Sequence, residues 1–265
     1  MSEGRFRRYV AIGDSTTEGL EDPYEDGSGY RGWADRLAEA LAMTNPELTY
    51  ANLAIRGRKV PQMRAEQLEP ALALRPDLAS VLGGVNDILR RHVDLDAIAA
   101  DMEAMVAALR EQGATVIMMT YPDPTAVISV AAGRIRERVA AFNEALREVA
   151  GRREAVLVDL DREGVAHPSL WCEDRLHANS GGHERMAAAA GEALGISWPN
   201  ERWRDPLPDQ PAARLPARLA ADAAWMGRHL GPWVLRRVRG KSSGDGRLPK
   251  RPELGPLNPP ASGGA

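Results

Sequence analysis

Residues 9–16 read Tyr-Val-Ala-Ile-Gly-Asp-Ser-Thr. Four residues suited to a buried strand run straight into a glycine, an acid and a hydroxyl. The strand is the first of five. "LTYANLA" (48–54), "DLASVLGG" (77–84), "ATVIMMT" (114–120) and "AVLVDL" (155–160) repeat the apolar pattern. Between them, "WADRLAEALA" (33–42), "VPQMRAEQLEPALAL" (60–74), "LDAIAADMEAMVAALREQG" (95–113) and "IRERVAAFNEALREVAGR" (135–152) carry helical spacing. "SGGHERMAAAAGEALG" (180–195) closes the series as a helix capped by Ser180. This alternation predicts an α/β fold with a mainly parallel sheet and helices on both faces.

Over 265 residues, 44% are hydrophobic and 27% charged, ordinary values for a globular chain. A formal net charge of −3 gives no general attraction to nucleic acid. The single cysteine, Cys172, excludes an internal disulfide framework. The first residues lack the apolar core of a secretory signal, and no apolar run is long enough for a membrane span. The expectation is a cytoplasmic protein without nucleic-acid partners or stable membrane insertion. Residues 1–200 are read as the α/β domain. Residues 201–235 are read as a helical extension whose Leu219, Ala223, Met226 and Leu230 share a face and pack back on the domain's helices. The alternative for that helix is a partner or membrane-surface contact through the basic "RRVRGK" (236–241). Residues 236–265, basic and rich in Gly and Pro, are expected to be disordered.

In a parallel sheet, the residues that follow each strand gather at one edge. Here that edge collects Asp14 and Ser15, then Asn52 and Gly57, then Gly84, Asn86 and Asp87, then Tyr121 to Asp123, and finally Asp174 and His177. A serine hydroxyl is a weak nucleophile at neutral pH and needs a base. His177 is a base of the right type, and Asp174, three residues upstream, could fix its tautomer. The N–H groups of Ser15 and Gly57 and the amide of Asn86 are candidate donors to a developing oxyanion. Ser15 alone reads as a helix N-cap; with these partners it reads as a nucleophile. His167 is the rival base, His183 is expected to be exposed on its helix, His92 to be structural, and His229 belongs to the extension. Asp14 is expected to hold its loop through backbone N–H groups, and Asp87 to cap the turn that follows it. No ligand cluster points to a metal, and the first βα turn lacks Gly-x-Gly-x-x-Gly, so no cofactor is expected. Tyr30, Arg31 and Trp33, in and after a long connection, and Trp171, beside the base, are candidate substrate contacts. "YPDPTAVISVAAGR" (121–134), with Val127, Ile128 and Val130, is a candidate lid or acyl pocket.

"GDST" (13–16), "NLAIRG" (52–57), "GVND" (84–87) and "DRLH" (174–177), in this order, resemble the four blocks of the SGNH hydrolases, also called GDSL-type esterases and lipases. The resemblance extends over residues 9–195. It implies a flavodoxin-like three-layer α/β/α sandwich around a five-stranded sheet, and hydrolysis of small acyl or acetyl esters through an acyl-enzyme. By position it makes Ser15 the nucleophile, His177 the base and Asp174 its carboxylate partner. Ser15, Gly57 and Asn86 match the oxyanion hole. Thr16 stands where the family often has Leu. The alternative is a catalytically silent binding or scaffold protein of the same fold, acting on a protein partner through its C-terminal arm.

Overall fold

The computed structural model of the chain describes residues 5–128, 132–161, 166–196, 198, 201–208 and 215–257. In order these form β1 (Arg8–Gly13), α1 (Ser15–Glu18), α2 (Gly32–Thr44), β2 (Thr49–Asn52), α3 (Val60–Ala73), β3 (Leu78–Leu82), α4 (Val85–Ile88), α5 (Leu95–Glu111), β4 (Thr115–Met119), α6 (Ala132–Arg152), β5 (Val156–Val158), α7 (Ser180–Ala193), α8 (Leu215–Trp225), α9 (Gly231–Val238) and β6 (Arg251–Pro256). The strand order is β5-β4-β3-β1-β2-β6. The first five strands are parallel, as their near-continuous apolar character requires. α2 packs on α7, while α3, α5 and α6 pack side by side. The sheet is thus flanked by helices.

Sequence spacing explains the layers. Ile98, Met102, Met105, Val106 and Leu109 form one buried face of α5. Removing such side chains from water stabilises the fold by roughly 1.5–3 kcal/mol each. Asp94 starts this helix by accepting the Ala97 N–H at 3.0 Å. At α7 the cap is Asn179, which accepts the Gly182 N–H at 3.1 Å; Ser180, expected in that role, is the first helical residue.

Chain direction across the sheet reverses between β1 and β3, because β2 lies on one side of β1 and β3 on the other. The crevice at such a switch point is where open α/β sheets bind ligands. It places the loops after β1 and β3 face to face.

The C-terminal region departs from expectation twice. Residues 251–256, expected to be disordered, form β6, antiparallel to β2, with Tyr50 opposite Gly255 and Asn52 opposite Arg251. An edge strand tolerates the two prolines of "RPELGP", which carry no N–H. The described part of the extension also leaves its expected apolar face largely uncovered. Leu219 and Met226, half of its expected apolar face, are 58% and 38% exposed. It is held instead at the loop before α7. Arg175 pairs with Asp222 at 2.6 Å, and the Trp225 indole donates to the Asp174 carbonyl at 2.8 Å. Val130 and residues 258–265 lie outside the described residues.

Candidate active site

β1 ends where only glycine fits. A Cβ at Gly13 would stand 2.4 Å from the Leu82 carbonyl and 2.5 Å from the Thr17 hydroxyl. Gln67, reaching from α3, accepts the Gly13 N–H at 2.8 Å and donates to its carbonyl at 2.9 Å. The backbone that enters the site is thereby fixed on both sides. Asp14 caps α1 by accepting the Thr16 N–H at 3.1 Å, so Ser15 is the first helical residue rather than the cap.

Ser15 Oγ lies 2.8 Å from His177 Nε2, and His177 Nδ1 lies 2.5 Å from Asp174 Oδ2. The other Asp174 oxygen accepts the backbone N–H groups of Leu176 and His177, both at 3.0 Å. Burial alone would raise the Asp174 carboxyl. The bonds from the His177 ring and from these two N–H groups outweigh it and hold the carboxyl below its usual range. An ionised carboxylate only accepts, so Nδ1 carries the proton and Nε2 is left to accept from Ser15. The spacing works because Arg175 adopts a left-handed φ of 56°. That turn brings Asp174 back against the ring three residues later.

Asn86 Nδ2 lies 3.2 Å from Asp14 Oδ2 and 3.2 Å from the Arg58 carbonyl. Burial pushes the Asp14 carboxyl up to about 6, against the Thr16 bond that lowers it. Asp87 does not cap its own turn. Its carboxylate crosses to the start of α3 and accepts the Val60 N–H at 3.0 Å. Gly57 takes a φ of +74°, which favours glycine. Ser15, Gly57, Asn86, Asp174 and His177 line one cleft of about 500 Å³. Trp225, Arg228, His229 and Ser243 form its C-terminal wall.

Other expected residues are placed elsewhere. Trp33 is fully buried in the core, and neither Tyr30 nor Arg31 lines the cleft. The connection that holds them is drawn toward α2. Asp22 pairs with Arg36 at 2.8 Å, the Tyr24 hydroxyl donates to Asp35 at 2.8 Å, and Arg31 Nε donates to Glu39 at 3.0 Å. Trp171 lines a second, apolar cavity next to the cleft, as do Val127 and Ile128. His183, expected at the surface, is fully buried on the face of α7 that meets α2. Its Nδ1 accepts the Trp33 N–H at 3.2 Å and its Nε2 donates to the Leu20 carbonyl at 3.0 Å. His167 caps a short turn by accepting the Ser169 N–H at 3.2 Å, which spends Nδ1 there. His92 is exposed. Among the described residues, no group of three His, Cys, Asp or Glu side chains could hold a metal ion, and no helix is long and apolar enough to cross a membrane.

Several supporting contacts had no signal in the sequence. Besides Gln67, Asn52 donates to the Thr17 carbonyl at 2.8 Å, tying β2 to α1. Glu18 accepts the Arg56 N–H at 2.7 Å and so fixes the loop that carries Gly57. The C-terminal tail packs on that loop, with the Ser242 hydroxyl donating to the Gly57 carbonyl at 3.3 Å.

Residues 11–185 match the model of the GDSL-like lipase/acylhydrolase family. The chain belongs to that family. It is an ester hydrolase. Among similar proteins is an acetylxylan esterase of Geobacillus stearothermophilus, 25% identical over 225 residues that cover 76% of this chain and all of the relative. The solved structure of that bacterium's acetylxylan esterase Axe2 has a TM-score of 0.62 at 23% identity, covering 76% of this chain and 100% of its own. LAE5, an alpha/beta hydrolase enzyme from the metagenome of Lake Arreo, Spain, has a TM-score of 0.60 at 24% identity, covering 74% of this chain and 97% of its own. Axe2 has also been solved as catalytic mutants at a serine, an aspartate and a histidine.

Proposed function

We propose that this esterase cleaves small acyl esters through an acyl-enzyme formed on Ser15. His177 Nε2 takes the Ser15 proton as Oγ attacks the ester carbonyl. The resulting imidazolium is stabilised by Asp174. The same proton passes to the departing alkoxide as the C–O bond breaks. Water then attacks the acyl-enzyme with His177 again as the base, and releases the carboxylic acid and free Ser15. The Ser15 and Gly57 N–H groups and the Asn86 amide stabilise the tetrahedral oxyanion. The bonds from the amide to Asp14 and to the Arg58 carbonyl are at the long limit for N–H···O bonds, so a full oxyanion charge competes with them. One such donor is typically worth about 10²–10³ in kcat. The acetylxylan esterase relative supports an O-acyl ester of a polyol as the substrate class.

The observation that carries this reading is the unbroken hydrogen-bonded line from Ser15 through His177 to Asp174, at 2.8 and 2.5 Å. Its test is intact mass after exposure to a fluorophosphonate. The expected result is one adduct on the wild type and none on Ser15→Ala, with hydrolysis lost in the same variant. Turnover surviving in folded Ser15→Ala would overturn it.

A further inference from the structure

Beside the cleft lies a cavity of about 80 Å³, at the carboxyl ends of β3, β4 and β5. Thr16, next in sequence to Ser15, forms part of its wall. Leu89, Ile128, Ile135, Arg175 and Leu176 border both this cavity and the cleft, so the two spaces meet along four apolar side chains and one arginine. Of the polar groups in its wall, the Tyr121 hydroxyl and the Trp171 indole N–H are buried without a hydrogen-bond partner, and two others are engaged. The Thr120 hydroxyl bonds Asp159 at 2.9 Å, and Arg175 is held by Asp222 at 2.6 Å. The rest of the wall is predominantly apolar, and such a space takes apolar guests.

The two spaces differ in the way an ester's two halves differ. The larger cleft carries Arg56, Arg228, His229 and Ser243, groups suited to a hydroxyl-rich alcohol. The smaller one is walled mainly by hydrocarbon. We propose that the apolar cavity is the acyl pocket, and that the substrates carry a linear aliphatic acyl group of about four carbons rather than acetyl. The inference rests on Ser15 being the acylated residue. Chain length follows from volume. A cavity of ~150 Å³ accepts a six-carbon benzene ring, which allows about 25 Å³ per carbon. A space of about 80 Å³ then holds roughly three carbons beyond the carbonyl. Acetyl, with one, leaves most of it empty.

The test is kcat/KM for p-nitrophenyl acetate, butyrate and octanoate. At about fourfold per buried methylene, butyrate should exceed acetate by about 15-fold, and octanoate should fall again. Val139 lines the cavity from α6, away from Ser15, His177 and Asp174. Val139→Phe fills the space and should bring the butyrate-to-acetate ratio close to one. Val139→Ala enlarges it and should move the optimum to a longer chain, a reading that stands even if the larger side chain prevents folding. Equal or better use of acetate by the wild type overturns the pocket. So does a ratio that neither variant changes. A fluorophosphonate adduct on Ser15 without butyrate preference overturns the pocket alone, whereas no adduct and no hydrolysis overturns the reading of Ser15.

Discussion

Asp174 shows how one residue sets the chemistry of its neighbour. Oδ1 is engaged by the N–H groups of Leu176 and His177, and Oδ2 by the ring Nδ1. In Asp174→Asn the two backbone donors keep the carbonyl oxygen where Oδ1 was. The amide NH₂ must then face Nδ1, which can meet a donor only by giving up its own proton. The proton moves to Nε2, and His177 can no longer accept from Ser15. The fold has little reason to change, because the backbone bonds survive. The expected outcome is a loss of about 10⁴-fold in kcat with an unchanged melting temperature. A steady-state ester assay beside a thermal melt checks it, and near-normal turnover would remove Asp174 from the catalytic line. The juxtaposition of Asp174, His177 and Ser15 was legible in the sequence because residue type and position at one sheet edge pointed to it. Gln67 was not: a glutamine in a helix carries no mark that its amide will clamp the Gly13 backbone.

Elements were legible where periodicity is strong. The five parallel strands and the helices between them were all expected, with boundaries a few residues off, because burial on a regular period leaves its trace in composition. Helix faces were harder. Ser180 loses the cap of α7 to Asn179, one residue earlier and equally able to accept. His183 was expected in water on its helix, yet α2 covers that face. This burial has a measurable consequence. Burial lowers the His183 pKa from 6.5 to about 4, so the folded protein keeps it neutral where the unfolded chain protonates it. Between those values the unfolded state binds the extra proton, and stability rises with pH. The contribution is complete above pH 6.5 and is lost as pH falls toward 4; at ~1.4 kcal/mol per unit it amounts to about 3 kcal/mol. Urea unfolding at pH 7.5, 5.5 and 4.5 reads it. His183→Gln can keep both hydrogen bonds but does not titrate, so its stability should fall less steeply than wild type across that range. Parallel pH slopes would show that α7 does not carry the dependence.

At the scale of the whole molecule, the chain returns to its own beginning. The tail looked unable to fold because "RPELGP" has no alternating pattern and few apolar groups. It is ordered by contacts that only the finished domain offers: the open edge of β2 and a buried carboxylate. Lys250, immediately before β6, donates to the carbonyls of Tyr30 and Arg31 at 2.9 and 2.8 Å and pairs with Asp35 at 2.8 Å. Asp35 also accepts from the Tyr24 and Tyr50 hydroxyls at 2.8 and 2.7 Å. Burial lowers the Lys250 pKa, but Asp35 and its hydrogen bond act in the opposite direction. Asp35 is 1% exposed, and that ammonium is its partner in a buried ion pair. Lys250→Met keeps the aliphatic stem and removes the charge, which leaves a buried carboxylate with only two phenols. Breaking a buried pair on one side costs about 3–5 kcal/mol, and for a chain of this size each kcal/mol lowers Tm by about 2–4 °C. The expected drop in Tm is therefore about 6–20 °C. The double variant with Asp35→Asn removes the stranded charge as well and should recover part of that loss. Calorimetry on the wild type, both single variants and the double variant closes the cycle. Additive losses would mean that Lys250 and Asp35 are merely neighbours, and that β6 is held to the sheet by its backbone alone.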